Sequence, residues 1–400
     1  MRILHTSDWH LGRNFGPLSL LDDQQKFLEW MLDVVRSERV DLVVVAGDLF
    51  DRPVAPNDAI ALFRSTLRQL QSLNVRVAAI TGNHDGPERV ANYHDLLDAS
   101  GVVLRGGYSQ VGEVITLDFA DGPLDIVPLP YLDPQMAPDP HGAAETTGDS
   151  GDDGERATGD AYQRLIQRTH ESVLRDAIAA VVPQLTAGRR SLAIAHAFVL
   201  GSKTSESEKK LTVGGHGEVA ADLFDAFSYT ALGHLHRPQV VAGRDTVRYS
   251  GTPLSYSFSE DHPKSLTMVD MAADGACSCE QVRVPVGRGV LTVTGTMEEL
   301  LGAKPSSRDR EAFVRVILTD RGVVLDAKQR LSSLYPFLVD IIPQPEGVVD
   351  GAVVTVVDAV RLSPMAVTEL FWKASDGGDP LPEERALLTT ALTDAERSLA

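Results

Sequence analysis

Residues 41–48 read DLVVVAGD, a continuous β-branched run that ends in glycine and aspartate. Such a run is typical of a strand that is buried on both faces of a parallel sheet. Short apolar strands are also predicted at Arg2–His5 and Val75–Ile80, with amphipathic helices at Gln24–Arg36 and Asp58–Leu73 between the strands. This alternation predicts βαβ units and a largely parallel sheet over the first ~130 residues.

Later parts of the chain have other patterns. The stretch Gln239–Val286 contains short strands without helices and is predicted to be antiparallel. A change in composition near Arg288–Gly289 indicates a boundary, after which a small α+β domain of about 70 residues is expected. Two helices, Met365–Lys373 and Glu383–Leu399, are predicted near the C-terminus. Residues 134–160 hold seven acidic residues and one arginine and are interpreted as a mobile insertion, with a partner-binding acidic loop as the alternative.

The composition excludes several classes of protein. The 400 residues carry a formal net charge of −19, which argues against a large basic nucleic-acid footprint. Two cysteines, Cys277 and Cys279, are too few for a disulfide framework and lack the C-x-x-C spacing of redox or zinc sites. Neither an apolar run of about 18 residues nor a signal-peptide pattern is present, so a cytoplasmic protein without a membrane span is expected.

Polar side chains follow the predicted strands at the points where they end. Because the carboxyl ends of parallel strands meet at one edge of a sheet, these side chains are expected to lie together. In two of the clusters the residues are spaced i, i+2, which places both side chains on one side of an extended segment. The set consists of Asp8, His10, Asp48, Asn83, His84, Asp85, His196, His234 and His236.

Taken singly, each of these residues is more readily explained as a turn former or a satisfied strand-end histidine. Taken together, they favour a shared metal site. Carboxylate, carboxamide and imidazole ligands without thiolate suit Mn, Fe or Zn rather than an all-oxygen Ca or Mg cage. Seven of the nine residues, two Asp, one Asn and four His, suit two ions that share one carboxylate, an arrangement that recurs in hydrolysis at phosphoryl centres.

The ordered set DxH…GD…GNHD…H…GHxH resembles the signature of calcineurin-like metallophosphoesterases. The wider context is similar to the nuclease subunits of bacterial SbcCD complexes, members of the double-strand-break repair nuclease family. This closer similarity covers residues 1–260, and the remainder matches mainly in layout. The stretches that carry it are MRILHTSDWHLGR, VAGDLFD, ITGNHD, GHLHRPQ and YSGTPLSYSFSE.

The resemblance implies an α/β fold, with a metallophosphoesterase β-sandwich flanked by helices. It places the nuclease domain at residues 1–286, including the acidic insertion at 134–160. A small α+β capping domain would follow at residues 287–360. The helices of residues 361–400 would bind an SbcC-type coiled-coil ATPase.

The resemblance also assigns roles within the site. Asp8, His10, Asp48 and His236 would hold one divalent ion, and Asp48, Asn83, His196 and His234 a second, with manganese as the expected metal. His84 would be the catalytic histidine that protonates the leaving oxygen. Asp85 would either orient His84 or hold a turn. His170, His216 and His262 are rivals of His196 that lack its strand-end context.

The implied activity is that of a metal-dependent DNA exonuclease, and also endonuclease, in repair, recombination and replication of DNA. A homodimer within a heterotetramer is implied as well. Its interface would include a helix face formed by Ile60, Phe63, Leu67 and Leu70; the alternative is that this face packs against the protein core. Candidate phosphate contacts are Arg13, Arg89, Arg237 and Lys203, with solvated surface charge as the alternative. A small-molecule phosphodiesterase and a non-catalytic scaffold remain as alternative functions.

Overall fold

The computed structural model describes residues 1–138, 168–205, 208, 217–322, 324–345, 363–376 and 379–399. The chain divides into two compact units, Met1–Gly289 and Val290–Ala400. The predicted acidic insertion lies outside the described residues from residue 139 onward, and its described beginning forms a 3₁₀ turn at Pro134–Met136.

Two β-sheets form the first unit. From edge to edge, the first sheet contains β16 (Cys277–Arg283), β15 (Ser265–Met271), β1 (Arg2–Thr6), β4 (Leu42–Ala46), β5 (Arg76–Ile80) and β6 (Val102–Arg105). The second contains β13 (Gln239–Val241), β14 (Arg244–Tyr249), β12 (Tyr229–Gly233), β9 (Ser191–His196), β8 (Gly122–Leu129) and β7 (Ile115–Phe119). Two short ladders pair β2 (Asn14–Phe15) with β3 (Leu18–Ser19), and β10 (Phe198–Val199) with β11 (Glu218–Val219).

Strand directions confirm the prediction for the N-terminal part and refine it for the later part. Strands β1, β4, β5 and β6 are parallel neighbours, as the βαβ pattern predicts. The pairs β13–β14 and β15–β16 are antiparallel, as expected for a stretch without helices. Strand β14, however, runs parallel to β12, and β15 joins the first sheet antiparallel to β1. Both of these pairings join segments that no local sequence pattern links.

The two sheets pack face to face around a shared apolar core. Ile3, Val44 and Ile80 of the first sheet lie in the same buried cluster as Ile126 and Ile194 of the second. Polar contacts also cross the interface; for example, the buried His5 ring lies 2.9 Å from the hydroxyl of Tyr229. The first unit is therefore a β-sandwich, in agreement with the predicted fold class.

Helices flank the sandwich. The longer helices of the first unit are α1 (Leu21–Ser37), α2 (Asn57–Ser72) and α5 (His170–Val181), and the shorter ones are α3 (Pro87–Val90) and α4 (His94–Asp98). Helices α1 and α2 pack against each other, and α5 buries Leu174 and Ile178 in a second cluster with side chains of β8, β9 and β12. In the part of the chain that the structure describes, none of the helices combines the length and apolar character that a membrane span requires.

The apolar face that the sequence predicts for helix α2 is only partly buried. Phe63 and Leu70 are buried in the protein core, whereas Leu67 is half-buried and Ile60 is 45% exposed. The core-facing alternative therefore applies to Phe63 and Leu70, and Ile60 remains at the surface.

The second unit is built on a parallel sheet of β17 (Val290–Gly295), β18 (Phe313–Leu318) and β19 (Leu338–Pro343). Its short helices are α6 (Met297–Gly302), α7 (Ser307–Glu311) and α8 (Ala327–Leu331), followed by α9 (Pro364–Asp376) and α10 (Pro382–Leu399). Capping boxes begin α6 and α7, in which Thr296 and Ser306 each exchange hydrogen bonds with the residue three positions on. These elements match the predicted α+β pattern.

Candidate metal centre

The site is built from loops that follow parallel strands. Asp8 and His10 follow β1, Asp48 follows β4, and Asn83 with His84 follows β5. On the second sheet, His196 ends β9, and His234 with His236 follows β12. The strand ends meet at one edge of the sandwich, as the sequence predicts, and each of these side chains except those of Asn83 and His84 is buried.

Backbone hydrogen bonds and strain fix the first two loops. The backbone N–H of Asp8 donates to the carbonyl of Gly47 at 3.0 Å, and that of His10 donates to the carbonyl of Asp48 at 2.9 Å. Asp8, His10, Asp48 and His234 all have positive φ angles, of 53°, 44°, 49° and 102°. Residues other than glycine rarely adopt this left-handed backbone conformation, and such strain concentrates at functional sites.

Two glycines of the motifs allow the loops to approach closely. A Cβ atom at Gly82 would collide with the Asp48 carboxylate, and one at Gly233 would collide with the carbonyl oxygen of Ala46. Glycine is therefore required in the GNHD and GHLH segments because a neighbouring loop occupies the space of a side chain.

Asp48 lies at the middle of the cluster. Its Oδ2 atom is 3.5 Å from Nε2 of His10 and 3.5 Å from Nε2 of His196. Its Oδ1 atom accepts the backbone N–H of His84 at 2.8 Å. One carboxylate thus faces the histidines of both halves of the cluster, as a bridging ligand would.

On one side of Asp48, ligand atoms of Asp8, His10 and His236 lie within 4.8 Å of one another. Both ring nitrogens of His10 are buried, and neither has a hydrogen-bond partner among the described residues. Burial lowers the pKa of His10 well below its usual value, so the ring is neutral and offers a lone pair. An unpartnered imidazole beside buried carboxylates fits a cation ligand.

On the other side, Oδ1 of Asn83 lies 3.0 Å from Nε2 of His196 and 3.1 Å from Nδ1 of His234. The Nδ1 atom of His196 donates to the carbonyl of Ala46 at 2.9 Å, which leaves Nε2 of the neutral ring without a proton. Burial lowers the pKa of His196 and also that of His234. Two acceptor atoms, Asn83 Oδ1 and His196 Nε2, therefore lie next to each other, an arrangement that one cation bound to both would satisfy.

The buried carboxylates of the site also favour a bound cation. Burial and the nearby Asp48 carboxylate raise the pKa of Asp8 well above its usual value. In the absence of a cation, ionisation of Asp8 is therefore unfavourable, and a divalent ion reverses this effect. The imidazole, carboxylate and carboxamide donors of the cluster fit one or two ions of the Mn, Fe or Zn type.

Comparisons with known proteins agree with this geometry. Residues 1–127 match the calcineurin-like phosphoesterase family, and residues 286–375 match the type 5 capsule protein repressor C-terminal domain. The SbcD component of the nuclease SbcCD from Bacillus subtilis (strain 168) is 30% identical to the chain over 351 residues, which cover 86% of this chain and 85% of that protein. The chain belongs to the SbcD nuclease family. It is a hydrolase of the calcineurin-like phosphoesterase type, a family that uses divalent metal ions.

Two solved structures are more distant. A dimetal phosphatase from Danio rerio is 12% identical with a TM-score of 0.38, covering 70% of this chain and 98% of its own. The Thermus thermophilus protein TT1561 is 13% identical with a TM-score of 0.34, covering 71% of this chain and 98% of its own.

His84 lies at the open side of this SbcD-family site. Its ring centroid is 4.6 Å from that of His10, and its side chain is half-buried. The Nδ1 atom of His84 lies 2.8 Å from the carbonyl oxygen of Asp51, which can only accept, so Nδ1 carries the proton. The Nε2 atom therefore remains available to accept or transfer a proton.

Asp85 does not orient His84 in this structure. Its carboxylate accepts the backbone N–H groups of Leu49, Phe50 and Gly82, at distances from 2.9 to 3.0 Å. Burial and the nearby Asp48 raise the pKa of Asp85 to about 7 in spite of these three donors. Of the two roles considered for Asp85, the contacts favour the turn, since Asp85 ties the β5 loop to the β4 loop.

The remaining candidates are placed unevenly around the site. Arg13 donates to the Asp51 carboxylate at 2.8 Å and lies over the Tyr256 ring, 5.0 Å from its centroid. Arg89 and Lys203 are exposed, and Arg237 is half-buried next to His236. Of the rivals of His196, His170 begins α5 and His262 contacts the carbonyl of His236, whereas His216 lies outside the described residues.

Two acidic residues at the site were not predicted. Oε1 of Glu208 accepts the backbone N–H of His236 at 2.7 Å, and Oε1 of Glu260 lies 3.0 Å from Nδ1 of the same residue. Glu260 belongs to the quoted segment YSGTPLSYSFSE, which could have indicated it, whereas none of the quoted motifs includes Glu208.

Proposed function

We propose that the chain is a metal-dependent DNA nuclease that hydrolyses phosphodiester bonds as the nuclease subunit of an SbcCD-type complex. The activity would be exonucleolytic and also endonucleolytic, and would serve DNA repair, recombination and replication in the cytoplasm. The observation that carries the proposal is the position of Asp48, whose Oδ2 atom lies 3.5 Å from a histidine nitrogen on either side. Membership in the SbcD nuclease family supports the choice of DNA as substrate.

In this proposal the ligands fall into two sets that share Asp48. Asp8, His10 and His236 complete one set, and Asn83, His196 and His234 complete the other. When bound, two divalent ions supply Lewis acidity at the phosphoryl oxygens and lower the pKa of water. Manganese is the proposed metal, one of the three ions, with Fe and Zn, that suit the mixed donors of the site.

His84 is the proposed general acid. Its Nδ1 atom donates to the carbonyl of Asp51, so the ring acts as an acid in its doubly protonated form, in which Nε2 gives the second proton to the oxygen that leaves the scissile phosphate. Asp85 supports this step indirectly because its three backbone hydrogen bonds hold the loop that carries Asn83 and His84. Arg13, fixed by Asp51 and Tyr256, is the best placed of the predicted cations to contact a phosphate near the site.

The rest of the chain is proposed to bind partners. The second unit would act as the capping domain, and α9 and α10 would dock the coiled-coil ATPase. Phe371 and Val367 of α9 are 72% and 39% exposed, which suits an apolar docking helix. A homodimer is proposed through α1 and α2, where Leu21, Leu32 and Leu62 line a groove between the helices and Ile60 lies at the surface.

The proposed function is tested with the purified chain, alone and with its ATPase partner, on linear duplex DNA and on a chromogenic phosphodiester. We expect manganese-dependent DNA cleavage that is lost in Asp48→Ala, together with both bound ions. The control is Asp125→Asn, because Asp125 is equally buried but pairs with Arg189. Cleavage of the chromogenic ester without any cleavage of DNA would favour a small-molecule phosphodiesterase and contradict the proposal.

A further inference from the structure

Glu260 lies behind the site in a buried polar network. The residue is 1% exposed, and its Oε1 atom lies 3.0 Å from Nδ1 of His236. Its Oε2 atom accepts the hydroxyl of Thr252 at 3.0 Å and forms an ion pair with Lys264. Lys264 is itself 8% exposed, so an acid and a base are buried together directly behind a predicted ligand.

The chemistry of these groups determines the direction of the hydrogen bond. A carboxylate that is paired with an ammonium group has only acceptor atoms, so His236 must donate from Nδ1. When the ring is neutral, its lone pair then lies on Nε2, the nitrogen that would bind an ion together with Asp8 and His10. The backbone N–H of His236 is held separately, by Oε1 of Glu208 at 2.7 Å.

We propose that Glu260 is a positioning residue that sets the tautomer and orientation of His236, with Lys264 as its counter-charge. The inference rests on the proposed function, since it concerns a ligand of the proposed metal pair. Carboxylates that receive the second N–H of a ligating histidine fix its ring and strengthen its binding to the ion.

The two halves of the site differ in this respect. The Nδ1 atom of His196 donates to a neutral backbone carbonyl, that of Ala46. Glu260 therefore acts on only one of the two proposed ions, the one that would be held by Asp8, His10 and His236. Removal of Glu260 is expected to weaken the binding of that ion and to leave the binding of the other ion unchanged.

The variant that tests the proposal replaces both buried charges, as Glu260→Gln with Lys264→Met. Changing Glu260 alone would leave Lys264 buried without its counter-charge and would endanger folding. The matched control is Glu208→Gln, because Glu208 contacts the backbone of His236 rather than its ring.

The first readout is the ¹⁵N NMR spectrum of histidine-labelled, metal-free protein, with the His236 signals assigned through His236→Gln. We expect Nδ1 of His236 to be protonated in the wild type and in Glu208→Gln, and a mixture of tautomers in the double variant. The second readout is manganese titration by calorimetry. We expect one of two ions to bind about 10–100-fold more weakly in the double variant, and the other to be unchanged.

Three results would overturn the proposal. One is a wild-type His236 that is protonated on Nε2, which can be seen even if the double variant does not fold. Another is a folded double variant with the wild-type tautomer and unchanged manganese binding. The third is an equal tautomer shift in Glu208→Gln. Failure of the proposed function gives a different result from failure of the Glu260 proposal. The wild type would then bind no pair of manganese ions, while the tautomer of His236 would still report on its hydrogen bond with Glu260.

Discussion

The Nε2 atom of His196 lies 3.0 Å from Oδ1 of Asn83, although neither atom has a proton to donate to the other. At this distance the two lone pairs repel each other unless one cation binds both atoms. The same nitrogen is 3.5 Å from the carboxylate of Asp48, which extends the arrangement to a third acceptor. This geometry explains why a neutral histidine, an amide and a carboxylate occur together at the ends of strands from different sheets.

His84→Ala is expected to lower the rate of DNA cleavage by a factor on the order of 10² or more, because the variant lacks the proposed proton donor. Bound manganese should stay near the wild-type content, since His84 is not among the proposed ligands. Single-turnover cleavage and elemental analysis measure the two quantities.

The control for that variant is His94→Gln, which changes a histidine that contacts Ala91 and Gln110 instead of the site. It should cleave DNA as the wild type does. Wild-type cleavage by His84→Ala would show that the proton comes from another group.

Gly233→Ala is expected to destabilise the first unit, because its methyl group would collide with the carbonyl of Ala46. Crowding of this kind costs about 1–3 kcal/mol in the free energy of unfolding. Denaturant unfolding measures the change. Gly289→Ala is the control, since a methyl group there meets nothing within 4 Å. Equal stability of the two variants would contradict the close approach of the ends of strands β4 and β12.

Stability is expected to fall in acid through the Asp121–Arg190 pair. The hydrogen bond from Arg190, which is 1% exposed, lowers the pKa of Asp121 below its usual value of about 3.8. A carboxyl whose folded pKa is depressed contributes stability above its unfolded pKa and loses it as the pH falls toward the folded value. Asp121→Asn should therefore be less stable than the wild type at pH 7, with the difference shrinking below about pH 4. Urea unfolding at pH 7 and below about pH 4 measures the difference in the free energy of unfolding between Asp121→Asn and the wild type. The same difference at both pH values would exclude this role.

Phe371→Glu is expected to abolish co-purification with the ATPase partner, because it places a charge on the exposed face of α9. Leu325→Glu is the control, since Leu325 is 74% exposed and Phe371 is 72% exposed. Both variants should keep manganese binding. Retained co-purification of Phe371→Glu would count against docking through this helix.

The sequence predicted the grouping of the site residues because that grouping follows from local patterns. Strands such as Leu42–Ala46 end in polar residues, and the parallel arrangement of neighbouring strands brings those ends to one edge. The same reasoning identified His196 among its rivals through its position at the end of β9.

Features that depend on distant parts of the chain were not predictable in this way. The pairing of β15 with β1 joins segments more than 250 residues apart, and no local periodicity encodes it. The partner of His84 is the backbone carbonyl of Asp51, which any residue could supply. Glu260 reaches His236 through tertiary packing, so only the surrounding motif marked it.

The central claim, that two ions share Asp48, is tested most directly by anomalous diffraction from crystals soaked in manganese. Two peaks are expected, separated by roughly 3.5–4 Å, on either side of the Asp48 carboxylate. One peak should lie among Asp8, His10 and His236, and the other among Asn83, His196 and His234. A map without a peak beside Asp48, or with Asp48 turned away from both histidine groups, would contradict the claim.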